Sequence, residues 1–357
     1  MNAEIKTGVI FGGIIIAGIV FLAIIFIELD ESVSLNQDSG IKKAPNLVDI
    51  AHYLNISSEE LIKKMENKVI LYDIWTYSCI NCIRTLPFIT SWDEKYSEQG
   101  LLIIGIHSPE FEFEKDPQNV KIAIEKYGIT YPVVMDNNME TWKAFENNYW
   151  PRKYITDHEG NLRYNHIGEG GYQETEKVIQ QLLDERAKEM GFEITSENKL
   201  VDIEEFQHTQ FRTPELYFGY KFAQSRNQLG SDEGFQPERI VKYSEPNNIE
   251  LNKFYPIGNW KNHEDSMELT ESTGVIKLLF NAKEVNIVTE NNAQLEILLD
   301  GIPLTEKHAG LDIISGNELI VSDARMYNII NSEISMSHSM EIKIQGIGLQ
   351  VFTFTFG

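Results

Sequence analysis

The sequence predicts an α/β domain followed by an all-β sandwich of jelly-roll type, with one N-terminal transmembrane helix. Three patterns along the 357 residues indicate this fold class. Residues 8–27 form an uncharged apolar stretch, and about 20 such residues span a bilayer as one helix. From residue 68 to residue 190, strand-like and helix-like periodicities alternate, as in α/β domains. After residue 192 short runs of period two dominate, which is typical of all-β domains.

The N-terminal helix also predicts an orientation. Lys6 and the terminal amine precede the apolar stretch, and acidic residues beginning with Glu28 follow it. Positive charge tends to stay in the cytoplasm. We therefore expect a single-pass membrane protein with residues 29–357 extracytoplasmic and residues 8–27 in contact with lipid. A signal peptide cleaved within residues 1–34 is the alternative.

Polarity and periodicity divide the chain into four segments. These are the anchor at 1–28, a polar tether at 29–44, the α/β domain at 45–192 and the sandwich at 200–357. In the α/β domain Ser57 is the expected N-cap of a first helix. The pattern then predicts strands at 69–75, 101–107 and 131–135, helices at 80–97, 117–127 and 139–147, a hairpin of 152–156 with 162–167, and a helix at 175–190. Strand-like runs in the sandwich are 275–280, 284–289, 294–299, 318–321, 340–344 and 349–356.

Charge and cysteine content limit the partners and the chemistry. The net charge of −23 excludes a nucleic-acid partner, because phosphates would be repelled. Such acidity serves the solubility of an exposed surface, and docking with a basic partner is the alternative. The chain has two cysteines, so any intramolecular disulfide must join these two.

Cys79 and Cys82 form a Cys-x-x-Cys pair between an apolar strand and a helical pattern. At the first turn of a helix, free N–H groups and the helix dipole stabilise a sulfur anion, and the thiolate is the form that attacks disulfides. Cys79 has this position and is the expected attacking group. Cys82 lies one turn later on the same face and is the expected resolving group. A zinc site would need two further ligands, and the eight histidines show no ligand spacing.

Two more residues fit this chemistry. Asp73 lies in the apolar strand six residues before Cys79. A buried carboxyl there would have a raised pKa and would relay the proton of Cys82, whereas an aspartate at a sheet edge would face water. Pro151, after Trp150, ends the loop before the predicted hairpin. A cis proline there would place a strand edge beside the sulfurs, ready to pair with a substrate backbone, and an ordinary turn proline is the alternative.

These residues resemble the thioredoxin superfamily. Its members carry Trp-x-x-x-Cys-x-x-Cys after a strand, often a buried acid six positions before the first cysteine, and a cis-proline beside the pair. Trp75, Cys79, Cys82, Asp73 and Pro151 match these positions. The chain is similar to the DipZ-type domain of the extracytoplasmic TlpA/ResA-like group in Trp75-Thr-Tyr-Ser-Cys-Ile-Asn-Cys82, His107-Ser-Pro-Glu110, Phe113-Glu114-Lys115, Tyr131-Pro132, Asp136-Asn137-Asn138, Tyr149-Trp150-Pro151 and Gly168-Glu169-Gly170.

The resemblance implies a membrane-anchored, extracytoplasmic thiol–disulfide oxidoreductase with no cofactor besides the Cys79–Cys82 disulfide. The family leans towards reduction, in cytochrome c maturation or of protein disulfides, and a disulfide-forming oxidase is the alternative. Full DipZ proteins carry a multi-span CcdA-like domain before this one. Here one span precedes it, so we expect a separate CcdA- or DsbD-like membrane electron donor. The expected substrate-binding residues are Trp75, Tyr77, Trp150 and Glu110.

Three further functions compete with this interpretation. A copper chaperone of this fold usually has Cys-x-x-x-Cys, one residue longer than the spacing here. A thiol peroxidase has a threonine three residues before its cysteine, as Thr76 is, but its upstream proline is replaced by Tyr72. A sandwich similar to a carbohydrate-binding module follows the domain in DipZ-type proteins, and residues 212–219 and 354–357 look like it. The third function is that of a glycan-binding surface protein in which the sandwich is the main functional part. Tyr217, Tyr255 and Trp260 would then stack on sugar rings, or else belong to the core.

Overall fold

The computed structural model describes residues 42–193, 199–207 and 212–357. The predicted anchor at 1–28 and all but the end of the tether lie outside these residues. Within the described ranges, no helix combines the length and the apolarity needed to cross a bilayer. The predicted transmembrane helix and the extracytoplasmic location therefore stay predictions.

The first part of the chain, here called the α/β region (residues 42–193), is built on a six-stranded sheet. Its strand order is β1-β4-β3-β2-β5-β6, with β2, β3 and β4 parallel and the other neighbours antiparallel. The strands are β1 His52–Leu54, β2 Val69–Trp75, β3 Leu101–His107, β4 Val133–Met135, β5 Arg152–Thr156 and β6 Leu162–Ile167. The helices are α1 Ser58–Met65, α2 Ile80–Tyr96, α3 Pro117–Lys126, α4 Glu140–Ala144 and α5 Tyr172–Met190, with a 3-10 turn at Glu112–Lys115.

Local sequence explains most of these elements. Strands β2 and β3 are buried along their whole length, and they are accordingly continuous apolar runs in the sequence. Ser57 caps α1 as predicted, since its side chain accepts from the Glu60 amide while the Glu60 carboxylate accepts from the Ser57 amide. Strand β1 was not predicted, because it is a three-residue edge strand with two exposed positions.

The second part, here called the all-β region (residues 212–357), consists mainly of β-strands, as predicted. Its strands are β7 Leu216–Tyr217, β8 Ile240–Tyr243, β9 Lys253–Asn262, β10 Met267–Leu269, β11 Thr273–Glu290, β12 Ala293–Leu299, β13 Ile302–Pro303, β14 Glu318–Val321, β15 Arg325–Gln345 and β16 Gln350–Phe356, with a short helix α6 at Tyr220–Ala223. They share one hydrogen-bonded sheet in the order β13-β12-β15-β11-β16-β10-β9-β8, with β14 beside β12 and β7 beside β16. Strand β9 also packs on β11, although two strands separate them in this order, so the sheet curls over its own core.

The long strands correct the predicted segmentation. The runs 275–280 and 284–289 form a single strand, β11, with an irregularity between Ala282 and Glu284. A β-bulge bends a strand without ending it. The polar residues at the bulge interrupt the apolar–polar alternation, so the sequence pattern suggested two strands where there is one. The three candidate sugar-stacking rings lie in the core, because Trp260, Tyr255 and Tyr217 are 0%, 2% and 8% exposed. The structure therefore favours the alternative given for them, a role in the core.

Candidate active site

Cys79 and Cys82 differ sharply in accessibility. The turn after β2 places Cys79 at the N-cap of α2, where its Sγ accepts a hydrogen bond from the Cys82 amide over 3.4 Å. Cys79 is partly exposed, whereas Cys82 is 0% exposed. Burial, first of all, and the neighbouring Cys79 raise the pKa of Cys82 well above its ordinary value. Cys82 therefore needs a base before it can act as a nucleophile.

Asp73 lies inside the sheet, which answers the question that its spacing left open. Strand β2 is an interior strand, and the Asp73 side chain is 0% exposed. Burial raises the pKa of Asp73 to about 6, and the positive charge of Lys153 acts against that rise. Both carboxylate oxygens lack a hydrogen-bond partner among the described residues. The charge of Asp73 in turn raises the pKa of Cys82, as expected for neighbouring acids.

Lys153 is the site residue that sequence reasoning missed. It stands directly opposite Asp73 in the antiparallel pair of β2 and β5, and it is 0% exposed. Its Nζ donates to the Gly168 carbonyl over 3.3 Å. Burial lowers the pKa of Lys153, while Asp73 acts in the opposite direction. The available signal was a lysine inside a predicted strand, two positions after the loop proline and followed by Tyr154 and Ile155.

The Asp73→Asn variant is expected to lose a pH dependence. A carboxyl with a pKa of about 6 becomes a base as pH rises from 5 to 7, so resolution by Cys82 should accelerate over that range. With asparagine the acceleration should disappear, and resolution at pH 7 should slow roughly 10- to 100-fold. Stopped-flow measurement of the second exchange step, with Asp93→Asn on α2 as control, tests this. Superimposable pH profiles for wild type and Asp73→Asn would reject the relay.

The Trp150–Pro151 peptide bond is cis, which selects one of the two isomers that the sequence left open. The Pro151 carbonyl accepts from the Gly168 amide over 2.8 Å. The Trp150 indole donates to the Ser108 carbonyl over 2.9 Å, and the Ser108 amide donates to the Trp75 carbonyl over 3.0 Å. The proline loop and the C-terminal end of β2, which leads to Cys79, thus meet at Ser108.

The four expected substrate-binding residues divide into two groups. Trp75 and Tyr77 are 0% and 4% exposed, and both rings pack on the His107 imidazole. Their burial does not fit direct contact with a substrate; they support the site from within. Trp150 and Glu110 are partly exposed, so the predicted contact remains open to them. Burial lowers the pKa of His107 to about 3, so this ring stays uncharged behind the site.

The all-β region touches the motif itself. The Tyr77 hydroxyl donates to the Ala324 carbonyl over 3.0 Å. Arg84, two residues after Cys82, donates to the Glu284 carboxylate over 2.7 Å and lies 3.7 Å from Glu169. The two parts of the chain therefore build the surroundings of the cysteines together.

A second polar contact between the regions lies beside Glu110. The Tyr217 hydroxyl is 3.0 Å from a Glu110 oxygen and 2.8 Å from a Glu215 oxygen. A hydroxyl has one proton to donate, so the two short contacts together require a proton on one carboxyl. Burial raises the pKa of both carboxyls, and their mutual repulsion raises that of Glu110 further.

Comparison with known proteins agrees with this geometry. Residues 42–183 match the family model described as Redoxin, and residues 213–357 match the one described as Thioredoxin like C-terminal domain. The thiol-disulfide oxidoreductase YkuV of Bacillus subtilis (strain 168) is 32% identical over 40% of this chain and 94% of its own. The chain belongs to the thioredoxin-like thiol–disulfide oxidoreductases.

The chain is also similar to a longer curated protein and to a solved structure. Protein DipZ of Mycobacterium tuberculosis (strain CDC 1551 / Oshkosh) is 33% identical over 88% of this chain, which spans 43% of the length of that relative. The solution structure of a thioredoxin-like protein in the oxidized form is 29% identical and covers 41% of this chain and 97% of its own, with a TM-score of 0.37. The similarity to DipZ thus runs through both the α/β region and the all-β region.

Proposed function

We propose that this oxidoreductase reduces protein disulfides outside the cytoplasm while residues 8–27 hold it in the membrane. The observation that carries the chemistry is the contrast between a partly exposed Cys79 and a fully buried Cys82 beside the buried Asp73. The accessible sulfur meets the substrate first, and the buried one can reach only Cys79. Exchange then has a fixed order.

In the first step the Cys79 thiolate attacks one sulfur of a substrate disulfide. That disulfide breaks, one substrate sulfur leaves as a thiolate, and a mixed disulfide with Cys79 forms. Asp73 then takes the proton of Cys82, and the Cys82 thiolate attacks the Cys79 sulfur. The Cys79–Cys82 disulfide forms and the second substrate sulfur leaves, so two electrons have passed to the substrate. A CcdA- or DsbD-like membrane donor returns two electrons and two protons to the pair.

The reducing direction is supported by the charges around the pair. A dithiol oxidises other proteins when the protein stabilises its reduced form, chiefly as a thiolate. Here burial disfavours a Cys82 thiolate, and the buried Asp73 adds a negative charge near it. Lys153 faces Asp73 and also interacts with Cys82, so it offsets part of this negative charge, and the Arg84 guanidinium contacts Glu284 and Glu169. The burial of Cys82 beside Asp73 is the feature that favours transfer of electrons away from the pair.

Equilibration with glutathione tests the direction. In a glutathione buffer at the cytosolic ratio, the wild-type chain should remain mainly in the disulfide form, because a reductase has a potential below that buffer. Dithiothreitol should reduce it fully. Alkylation and mass measurement after acid quenching report the fraction oxidised. A pair that glutathione reduces completely would establish the oxidase alternative instead.

The location has its own test. A membrane-impermeant thiol reagent added to intact cells should label the reduced protein at Cys79, because the orientation predicted from Lys6 places that sulfur outside. Cys79→Ser is the control that assigns the label to this sulfur. Labelling that begins only after lysis would refute the extracytoplasmic location and, with it, the need for a transmembrane electron donor.

A further inference from the structure

Glu114 is a buried carboxylate surrounded by four donors. It lies in the 3-10 turn after β3, and its side chain is 0% exposed. One oxygen accepts from the Thr76 hydroxyl over 2.5 Å and from the Ser78 hydroxyl over 2.6 Å. The other accepts from the backbone amides of Glu110 over 2.6 Å and Phe111 over 3.0 Å. A carboxylate has about four acceptor positions, so all of them are in use.

These contacts join two loops at the active-site edge. Thr76 and Ser78 belong to the turn that leads from β2 to Cys79, and both are buried. Glu110 and Phe111 belong to the loop that follows β3. The side chain between the two hydroxyl residues, Tyr77, is held separately at the carbonyl of Ala324. Three successive side chains before the attacking cysteine are therefore anchored, two of them to the same carboxylate.

We propose that Glu114 is a positioning residue of the exchange reaction, which fixes the turn that presents Cys79 to the sulfur of Cys82. The proposal rests on the proposed exchange chemistry. In the second step the Cys82 thiolate attacks the Cys79 sulfur, the bond from Cys79 to the substrate breaks, and the substrate sulfur leaves. These three sulfurs must lie nearly in line, so freedom in the turn carrying Cys79 lowers the rate. The first step depends less on this turn, because the substrate approaches freely.

Two quantities measure the positioning directly. One is the effective concentration of Cys82 towards Cys79, obtained from the equilibrium of the Cys79–Cys82 disulfide with glutathione. The other is the single-turnover rate of the resolving step. Glu114→Ala should lower both roughly tenfold, while the first attack on a small disulfide changes by about twofold or less.

The conservative variant Glu114→Gln tests whether the hydrogen bonds of this side chain or its negative charge matter. In Glu114→Gln the amide oxygen can accept from both backbone N–H groups, and the amide nitrogen can donate to the Thr76 and Ser78 oxygens, since hydroxyls also accept. Glu114→Gln should therefore keep both quantities within about threefold of wild type. Glu112→Ala is the matched control, because Glu112 lies in the same turn, is 77% exposed and contacts Lys115.

Each outcome decides the proposal. A folded Glu114→Ala protein with wild-type values overturns it, and so does a Glu114→Gln protein as impaired as Glu114→Ala. If Glu114→Ala does not fold, the double variant Thr76→Val/Ser78→Ala decides, since it removes half of the contacts and keeps the carboxylate; wild-type values there overturn the proposal. If the proposed reducing direction is wrong, the wild-type protein itself will be reduced by glutathione. The ratios of variant to wild-type values can still be measured in that case, so the two failures are distinguishable.

Discussion

Cys82→Ser is expected to accumulate a mixed disulfide between Cys79 and its protein substrate, whereas Cys79→Ser accumulates almost none. The partly exposed Cys79 can still attack in the first variant, but no second sulfur releases the product. In the second variant the remaining thiol is 0% exposed, and burial raises its pKa. Turnover should fall on the order of 1,000-fold or more in both, because intramolecular resolution or the initial attack is lost.

Non-reducing gels after acid quenching measure the trapped complexes, and reduction should release them. The double variant Cys79→Ser/Cys82→Ser gives the background. Equal trapping by the two single variants would contradict the assignment of attacking and resolving sulfurs. It would also remove the basis for a role of Asp73 specific to Cys82.

Phe352→Ala is expected to destabilise the α/β region as well as the all-β region that carries it. Phe352 is 1% exposed and packs against Phe111 and Phe113 at ring distances of 5.0 and 4.7 Å. Truncating a buried phenylalanine costs about 3–5 kcal/mol. Phe113 directly precedes Glu114, and the Phe111 amide donates to the Glu114 carboxylate that holds the Cys79 turn. The Cys79 thiol should therefore also react with altered kinetics below the unfolding transition.

Urea unfolding followed by far-ultraviolet circular dichroism and by Cys82 alkylation tests this coupling. Phe280→Ala is the matched control, since Phe280 is 1% exposed and its ring neighbours lie in the all-β region. The change of periodicity after residue 192 predicts that residues 200–357 fold alone, and that a chain ending near Met190 keeps dithiol activity on a small disulfide but loses efficiency on its protein substrate. If Phe352→Ala leaves Cys82 protection unchanged, that independence holds; a coordinated loss shows that the two regions share a core.

The sequence predicted correctly those elements that are determined by residues close together in the chain. The apolar runs of β2 and β3, the cap at Ser57 and the helix start at Cys79 all depend on residues within a few positions of each other. Local patterns of this kind can be recognised in a single sequence. Residues 198–259 show few regular apolar runs in the sequence and therefore give no such signal. Strands β7 and β8 in this stretch depend on pairing with β16 and β9.

The missed features are contacts between residues far apart in the chain. Tyr77 and Ala324 are separated by 247 positions, and Arg84 and Glu284 by 200. No periodicity predicts such a pair. Lys153 was missed for the same reason, because the pairing register that brings it opposite Asp73 is a property of the assembled sheet. Trp75 and Tyr77 were expected to bind the substrate, but both are buried with their rings against His107, a contact with strand β3 that their positions in the sequence do not reveal.

The seclusion of Cys82 behind Cys79 has a kinetic consequence. With two cysteines in the chain, the thiols store a single pair of electrons, and there is no third cysteine to pass them inward. Donor and acceptor must each react at the same exposed sulfur, so they visit in turn and cannot bind there together. Their double-reciprocal plots should be parallel, the ping-pong pattern, and an excess of either should inhibit the other by occupying that sulfur.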